Sequence, residues 1–503
     1  MSVATESTHA HPAAAGGTIE DPAARCRFIN EHLPEQTLYS DAKRAVQAGS
    51  RASWRLSPEP FWLDRETVAF LEQLGQDLLA FYRATNTLYF AAVRGRQPAW
   101  VADYFDRGRP DQLIDYGRLN RTRSHLPRVI RPDLFLTDGG FVATELDSVP
   151  GGIGFGASLA EPYAALGYPL VGGASGMLEG FAAMLESVAG EARPSAAIVV
   201  SEESGDYWDE MAWLARTLCA RGYPVHAVRP KDVRFTETAL LVPEGGSPGP
   251  RDESEVPPDS RYVPIKVLYR FFELYDVKNV PKWELLFYAA KKQLVVITPP
   301  IKSYLEEKLS FALLHHPALA PYWRQELGPE RFERLVRVLP PTWILDPRPL
   351  PPHATIPGIE LAGRAVQSWE QLVGLSQRER RLVIKPSGFS PLSWGSRGVK
   401  VGHDLAEDEW AQAVREALGS FETTRYVLQH FHDVRRVTVD WYDFATGEVR
   451  RMPGRARLTP YYFVVGDEAR LGAVTATVVP IDKKLIHGMV DAVIAPCAVR
   501  AAP

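Results

Sequence analysis

The chain has 503 residues, 45% of them hydrophobic and 23% charged, with a formal net charge of −4. This is an ordinary globular composition on a chain too long for one core, so roughly two or three domains are expected, and the charge leaves no basic footprint for nucleic acid. Cys26, Cys219 and Cys497 lie far apart with no metal-ligand spacing and read as reduced thiols of a cytoplasmic protein.

The first stretch, MSVATESTHAHPAAAGGTIEDP, has neither a charged start nor an apolar segment. It does not read as a signal peptide, and residues 1–50 are expected to form a disordered leader. No run of about eighteen apolar residues occurs, so no membrane span is expected; the longest candidate, YAALGYPLVGGASGMLEGFAAML, is broken by glycines and a glutamate. From about residue 59 to 95 apolar residues recur at helical spacing.

Residues 131–152, RPDLFLTDGGFVATELDSVPGG, read as a β-hairpin, with DGG as the turn between LFLT and FVAT. A three-residue loop, Asp138 to Gly140, sets Asp133 opposite Glu145 and Arg131 opposite Asp147, all on one face. A two-residue loop would turn Glu145 to the other face. Like charges opposed across strands destabilise a sheet, so three carboxylates together call for a cation, and hard oxygen ligands suit Mg²⁺ or Mn²⁺ better than zinc. Arg131 beside them fits a phosphate oxygen. The alternative is a solvated hairpin with scattered charges.

After the hairpin, SLAEPYAALG and SGMLEGFAAMLESVAG read as helices. From residue 195 the pattern is strand, loop, helix, strand, with AAIVV as a buried parallel strand of a βαβ unit. Residues 243–261 read as a surface loop. KVLYRFF and QLVVITP read as strands and SYLEEKLSFALLHH as a helix starting at Ser303. DPRPLPPHATIP, 346–357, reads as a stiff linker. The final third, with RLVIKPSG, RYVLQHF, RRVTVDWYD and LTPYYFVV as strands and DEWAQAVREAL as a helix, reads as α+β with an antiparallel sheet.

Three further stretches bear on nucleotide binding. The glycines of PGGIGFGA fit a dinucleotide fingerprint at Gly152, Gly154 and Ala157, but the acidic residue expected at the end of the next strand is missing, since Glu179 falls in a helical pattern; the dinucleotide reading is rejected. Lys385 ends an apolar strand before the Gly/Ser loop PSGFSPLSWGSRGVKVG, an arrangement that binds phosphate, or else an exposed lysine before an ordinary loop. Gln429 in RYVLQHF lies where an extended backbone could meet an adenine edge, or in a plain core strand. Lys308 lies on a helix, where a solvated lysine is the alternative.

Together these pieces resemble the circularly permuted ATP-grasp family, which includes the synthetase domain of glutathionylspermidine synthase. That family carries Arg-x-Asp on one strand and Glu-x-Asn on the next; here RPD supplies Arg131 and Asp133, and ELD supplies Glu145 and Asp147. The resemblance, over roughly residues 125–435, implies that Arg131 binds the terminal phosphate as the catalytic residue and that Asp133, Glu145 and Asp147 hold Mg²⁺ (or Mn²⁺). It implies that Lys308 and Lys385 contact ATP phosphates, that Ser387, Gly388, Gly395 and Gly398 belong to a lid over them, and that Gln429 marks the adenine hinge. Asp147 departs from the usual asparagine and adds a charge.

The implied fold is α/β and α+β: an ATP-grasp in circularly permuted order with a Rossmann-like βαβ unit. It divides into a metal-binding lobe at 51–194, the βαβ unit at 195–340, and a lysine, hinge and lid lobe with C-terminal strands at 341–503. The implied function is an ATP-dependent carboxylate–amine ligase joining a small-molecule or peptide carboxylate to an amine through an acyl phosphate. The alternatives are a phosphotransferase to a small acceptor and a non-catalytic nucleotide-binding protein on the same scaffold. Arg455, Arg457 and His487 are further candidates for holding a carboxylate, with surface arginine and core histidine as the alternatives.

Overall fold

The computed structural model describes residues 19–34, 54–147, 149–249, 254–351, 354–361, 363–483, 485–486 and 490–500. The fold is mixed α/β with several sheets, three of which build the site.

The largest sheet runs in the order Trp54–Leu56, Ala492–Val499, Glu468–Pro480, Glu448–Val465, Val129–Thr137, Gly140–Asp147, with Arg436–Asp443 also paired to the long strand Glu448–Val465. Its long strand alternates. Ala456, Leu458, Tyr462 and Val464 enter a core with Leu71, Leu74 and Leu78 of the helix Arg65–Val93. Asp64 caps that helix by accepting from the Thr67 N–H at 2.7 Å. The odd-numbered face is polar at Arg457 and Thr459 and turns apolar at Phe463, which joins a second core. A strand with one polar stretch on an inward face is the pattern of a floor built for a ligand.

The second sheet is four-stranded and parallel throughout, in the order Val296–Thr298, Val267–Phe271, Ala196–Val200, Val225–Val228. AAIVV is buried along its whole length. Ala196, Ile198 and Val200 pack with the helices Gly176–Ala189 and Trp208–Ala220, while Ala197 and Val199 pack on the other side with Leu286 and Phe287. Cover on both faces explains why this strand is continuously apolar.

The third sheet is antiparallel, in the order Thr342–Ile344, Tyr426–His430, Leu382–Pro386, Lys400–Val401. The expected unit at 341–503 therefore divides. Its first part forms this sheet, while the strands from Arg436 onward return to the sheet of the 129–147 hairpin. Backbone pairing of Arg457 with Phe135 and Leu458 with Leu134 makes that return.

Part of the expected disordered leader is folded. Pro22–His32 is a helix whose N-terminal amides at Ala23 and Ala24 are accepted by the Asp21 carboxylate, with Pro22 in the first turn. Cys26, Ile29 and Leu33 enter a core with Trp54, Phe155 and Tyr163, and that burial offsets the ordering of a polar segment. Residues 1–18 and 35–50 lie outside the described residues. Cys26, Cys219 and Cys497 are all free thiols, and no helix among the described residues is long and apolar enough to cross a membrane.

Candidate active site

The hairpin reaches its expected register by another route. Thr137 pairs with Gly140, so the loop is the two residues Asp138 and Gly139, and the three-residue loop is not formed. With that turn alone Glu145 would face away from Asp133. The ladder then shifts between Asp133 and Leu134: Leu134 pairs with Ala143, Asp133 with Glu145, and Thr144 is the extra residue of a β-bulge. The bulge restores Arg131 opposite Asp147 and returns all four charged residues to one chamber. It also leaves Thr144 without a ladder partner. Nζ of Lys385, from the antiparallel sheet, donates to the Thr144 carbonyl at 3.0 Å.

Each carboxylate of the hairpin has its own cation. Arg131 pairs with Asp147 at 3.0 Å, lies 3.6 Å from Asp133, and donates to the Gly151 carbonyl at 3.2 Å. Lys308 pairs with Glu145 at 2.7 Å, and Arg457 donates to Asp133 at 2.9 Å. Burial opposes the charge on Arg131, but Asp147 and Asp133 outweigh it and hold its proton affinity well above normal. Partial burial pushes Glu145, about a third of whose side chain is exposed, upward, yet the ammonium of Lys308, with help from Lys385 and Arg131, brings it down to about 2. For Asp147 burial wins over Arg131, aided by Glu145, and its pKa is raised. Lys385 is lowered to about 8, first by burial and then by Lys308, against the pull of Glu145 and Asp133.

The expected Mg²⁺ site does not stand ready-made in this arrangement. Among the described residues no group of three or more His, Cys, Asp or Glu side chains is gathered to hold a metal ion. The hairpin carboxylates have the right oxygen chemistry but are committed one by one to Arg457, Lys308 and Arg131. They do not fit a ready-made divalent site, because an ion at Glu145 would have to displace Lys308.

Two chambers meet at this cluster. The first, about 1000 Å³, has Val383, Val401, Phe431 and Pro340 among its apolar walls, with Lys385, Gln429 and Arg455 around them. The second, about 1940 Å³, is bounded by the hairpin, the Gly151–Gly152 loop, the carboxyl ends of the parallel strands and the odd-numbered face of the long strand. Asp133, Glu145, Lys308, Ser393 and Arg457 line both.

Lys308 arrives by a different local structure from the one its sequence indicates. The helix expected from Ser303 begins at Leu309, after a 3-10 turn at Ser303–Leu305, with Lys308 at its N-cap. The intervening acids are held elsewhere: Glu306 by Arg270, and Glu307 by the buried Arg109. Those ties interrupt the helix and leave Lys308 on the first turn, over Glu145.

Gln429 is 2% exposed and lies mid-sheet, opposite Thr342 on one side and Val383 on the other. Its backbone is committed to the sheet, and its side chain donates to Thr342 Oγ at 3.1 Å. His430, Phe431 and His432, at and past the strand's end, continue the chamber wall. Of the expected lid, Gly388 lines the second chamber, and a Cβ there would lie 1.6 Å from the Glu306 carbonyl oxygen. Ser387 is buried, its N–H donating to the Arg425 carbonyl at 2.8 Å, and its side chain is not part of either wall. Gly395 falls within the short turn Pro391–Ser396. Gly398 supports the loop from behind, donating to Leu392 and packed on the Pro386 ring.

The glycine motif rejected as a dinucleotide site has a packing role. A Cβ at Gly151 would strike the Tyr207 ring, one at Gly152 the Tyr461 hydroxyl, and one at Gly154 the Glu210 carbonyl. Glu210 accepts from the Gly152 N–H at 2.7 Å, and burial raises its pKa to about 7 against that bond. Arg457 was visible in the sequence only as a candidate; Tyr461, Glu210 and Glu273 were missed. The period-2 run Arg455, Arg457, Thr459, Tyr461 was the available signal for the floor. His487 lies outside the described residues.

No family model matches the chain, and no curated protein matches it. Among solved structures it is similar to a glutathione synthetase-like effector from Globodera pallida in apo form, with a TM-score of 0.49 and 11% identity over 96% of this chain and 98% of that one. It is also similar to a putative gamma-glutamylcysteine synthetase from Methylobacillus flagellatus KT, with a TM-score of 0.37 and 10% identity over 76% and 82% of the two chains. At these scores neither likeness carries a functional reading, which rests on the site.

Proposed function

We propose that this chain is an ATP-dependent carboxylate–amine ligase on an ATP-grasp scaffold in circularly permuted order. The observation that carries the reading is the junction of the two chambers, where Arg131, Lys308, Lys385 and Arg457, drawn from four separate stretches of chain, surround the hairpin carboxylates. The first chamber suits a nucleotide: apolar walls for a base, and lysines at the end where phosphates would lie. The order of the parts supports the permuted assignment, with hairpin first, parallel strands next, and the lysine strand last.

In such a reaction a carboxylate oxygen attacks the γ-phosphorus and the bond to the bridging oxygen of ADP breaks. An amine nitrogen then attacks the acyl carbon, phosphate departs with its oxygen, and the nitrogen loses a proton. No covalent nucleophile from the protein is required, and positioning with charge stabilisation supplies most of the catalysis. Lys385 and Lys308 meet the transferring phosphoryl group from the first chamber, and Arg131 and Arg457 take up charge from the second. Gly388 and Ser393 close the junction against water, which would hydrolyse an acyl phosphate.

The test is thermal denaturation with ADP and a non-hydrolysable ATP analogue, with and without MgCl₂, on the wild type and Lys385→Met, followed by ATP turnover with a panel of carboxylates and hydroxylamine. The expected result is a nucleotide-induced rise in Tm that the variant loses, and a hydroxamate formed in step with ADP. A wild type that responds to no adenine nucleotide overturns the reading.

A further inference from the structure

The second chamber contains more acidic groups than it has cations to hold them. Its lining holds six acids, Asp133, Glu145, Asp147, Glu210, Glu273 and Glu306, and four cations, Arg131, Lys308, Arg397 and Arg457; Arg457 is held by Asp133, and Arg397 lies against Glu203. Lys308 is bound to Glu145, Arg131 to Asp147, and Arg270 to Glu306. Glu210 is held by the backbone N–H of Gly152. Glu273 is different: its carboxylate makes no ion pair with, and accepts no hydrogen bond from, any described residue, although it lines the chamber. Burial, then Glu306 and Asp147, raise its proton affinity against the weaker pull of Arg270 and Lys308, which are themselves paired to Glu306 and Glu145.

A second observation points into the same space. Thr459 is 4% exposed, its hydroxyl has no hydrogen-bond partner, and it lines the chamber floor directly opposite Thr475 in the ladder, next to the pair Arg457 and Thr477. A buried hydroxyl left unpaired costs stability unless a ligand or water meets it. The aromatic rings of Phe155, Tyr207, Phe271 and Tyr461 complete the walls. A chamber that combines aromatic side chains with a carboxyl group lacking an ion-pair partner favours an organic ammonium, which is weakly hydrated, over a metal ion that keeps its waters.

We infer that the second chamber is the seat of the acceptor amine, with Glu273 receiving its ammonium group and Thr459 meeting a polar group alongside. This rests on the ligase reading, in which nucleotide and acceptor approach the Lys308–Glu145 junction from opposite sides. The chamber shares Asp133, Glu145, Lys308, Ser393 and Arg457 with the first one, so an acceptor seated in it would reach the junction where the activated carboxylate forms.

The test uses the full chain and named probes: glycine, ethanolamine and putrescine, with MgCl₂ and sodium acetate as controls at matched ionic strength, read by thermal denaturation. The variants are the near-isosteric Glu273→Gln and Thr459→Val. The expected result is a rise in wild-type Tm with at least one amine and with neither control. In Glu273→Gln the half-saturating amine concentration should increase about tenfold or more, the loss of one charged hydrogen bond, while the nucleotide-induced rise stays. In Thr459→Val a smaller loss is expected. The inference is overturned if no amine raises the wild-type Tm, if Glu273→Gln keeps the full amine response, or if MgCl₂ alone gives a rise that Glu273→Gln abolishes. Absence of a nucleotide response would overturn the ligase reading separately, since that arm contains no amine.

Discussion

Thr144 and Lys385 are 241 residues apart, and the lysine Nζ donates to the threonine carbonyl at 3.0 Å. The carbonyl is free to accept because Thr144 is the extra residue of the hairpin bulge. One irregularity therefore does two things: it turns Glu145 and Asp147 into the chamber with Arg131 and Asp133, and it provides the contact by which the antiparallel sheet meets the hairpin.

Lys385→Met tests what that lysine does. Its folded pKa is lowered to about 8 from 10.5, chiefly by burial. A base with a depressed folded pKa costs stability while charged, and stability rises with pH between about 8 and the unfolded value as the folded state loses its proton first. The variant should therefore be as stable as the wild type or more so at pH 7, lack that alkaline rise, and lose the nucleotide-induced increase in Tm. Melting curves across pH 7 to about 10.5, with and without ADP, check each part. A variant that binds ADP normally would remove Lys385 from the phosphate site.

Glu145→Gln should now destabilise the protein. Opposed to Asp133 alone, Glu145 would have repelled its neighbour, and neutralising it would have been harmless or slightly helpful. Lys308 at 2.7 Å reverses the sign. The folded pKa is depressed to about 2 from 4.5, so the stabilisation is present above about 4.5 and lost as pH falls toward 2. Glu145 is more than a third exposed, so solvent screening limits the cost to about 1 kcal/mol or less. Urea midpoints at pH 7 and pH 3 should differ less in the variant than in the wild type; an unchanged difference would argue against the pairing.

How far the sequence reaches is clear from particular residues. The period-2 pattern and the DGG turn located the hairpin, and the spacing put Arg131 opposite Asp147, but only because two errors in loop length and bulge cancelled. A bulge leaves little trace in hydrophobic alternation when both flanking faces are polar, as at Thr144-Glu145. The buried strand AAIVV was legible because it is covered on both faces. The start of the helix at Leu309 was not, because Arg270 and Arg109, which hold Glu306 and Glu307, lie in other parts of the chain. The return of the long strand to the hairpin is a tertiary pairing with no local signature, so Arg457 was not recognised as the partner of Asp133.

Gly388→Ala tests the loop above the junction. A Cβ at this position would lie 1.6 Å from the Glu306 carbonyl oxygen and 2.7 Å from its carbon, both backbone atoms that cannot rotate away. The loop or the Glu306 segment must shift, at about 1–3 kcal/mol. Because Lys308 follows Glu306 by two residues, the shift should also weaken nucleotide binding. Urea denaturation with and without ADP should show both losses, whereas Gly374→Ala, which meets nothing within 4 Å, should show neither.

The pair Asp133 and Arg457 offers the sharpest separation of stability from binding. Asp133 is 6% exposed, and its carboxylate accepts from Arg457 at 2.9 Å, with Arg131 at 3.6 Å. Arg457→Met leaves that buried charge with only the more distant arginine, which should cost on the order of 3 kcal/mol. Asp133→Asn leaves Arg457 unpaired against a polar floor with partial access to the chamber, and should cost less. The double variant removes both charges together, so its loss should fall short of the sum by about 1–3 kcal/mol. Urea unfolding of the four proteins gives the coupling directly; additive losses would mean that the two side chains do not depend on each other. The nucleotide response then separates charge from folding. If Arg457 supplies positive potential to the junction, the double variant should remain folded yet bind ADP more weakly than Asp133→Asn alone. Equal binding by those two variants would confine Arg457 to holding Asp133 in place.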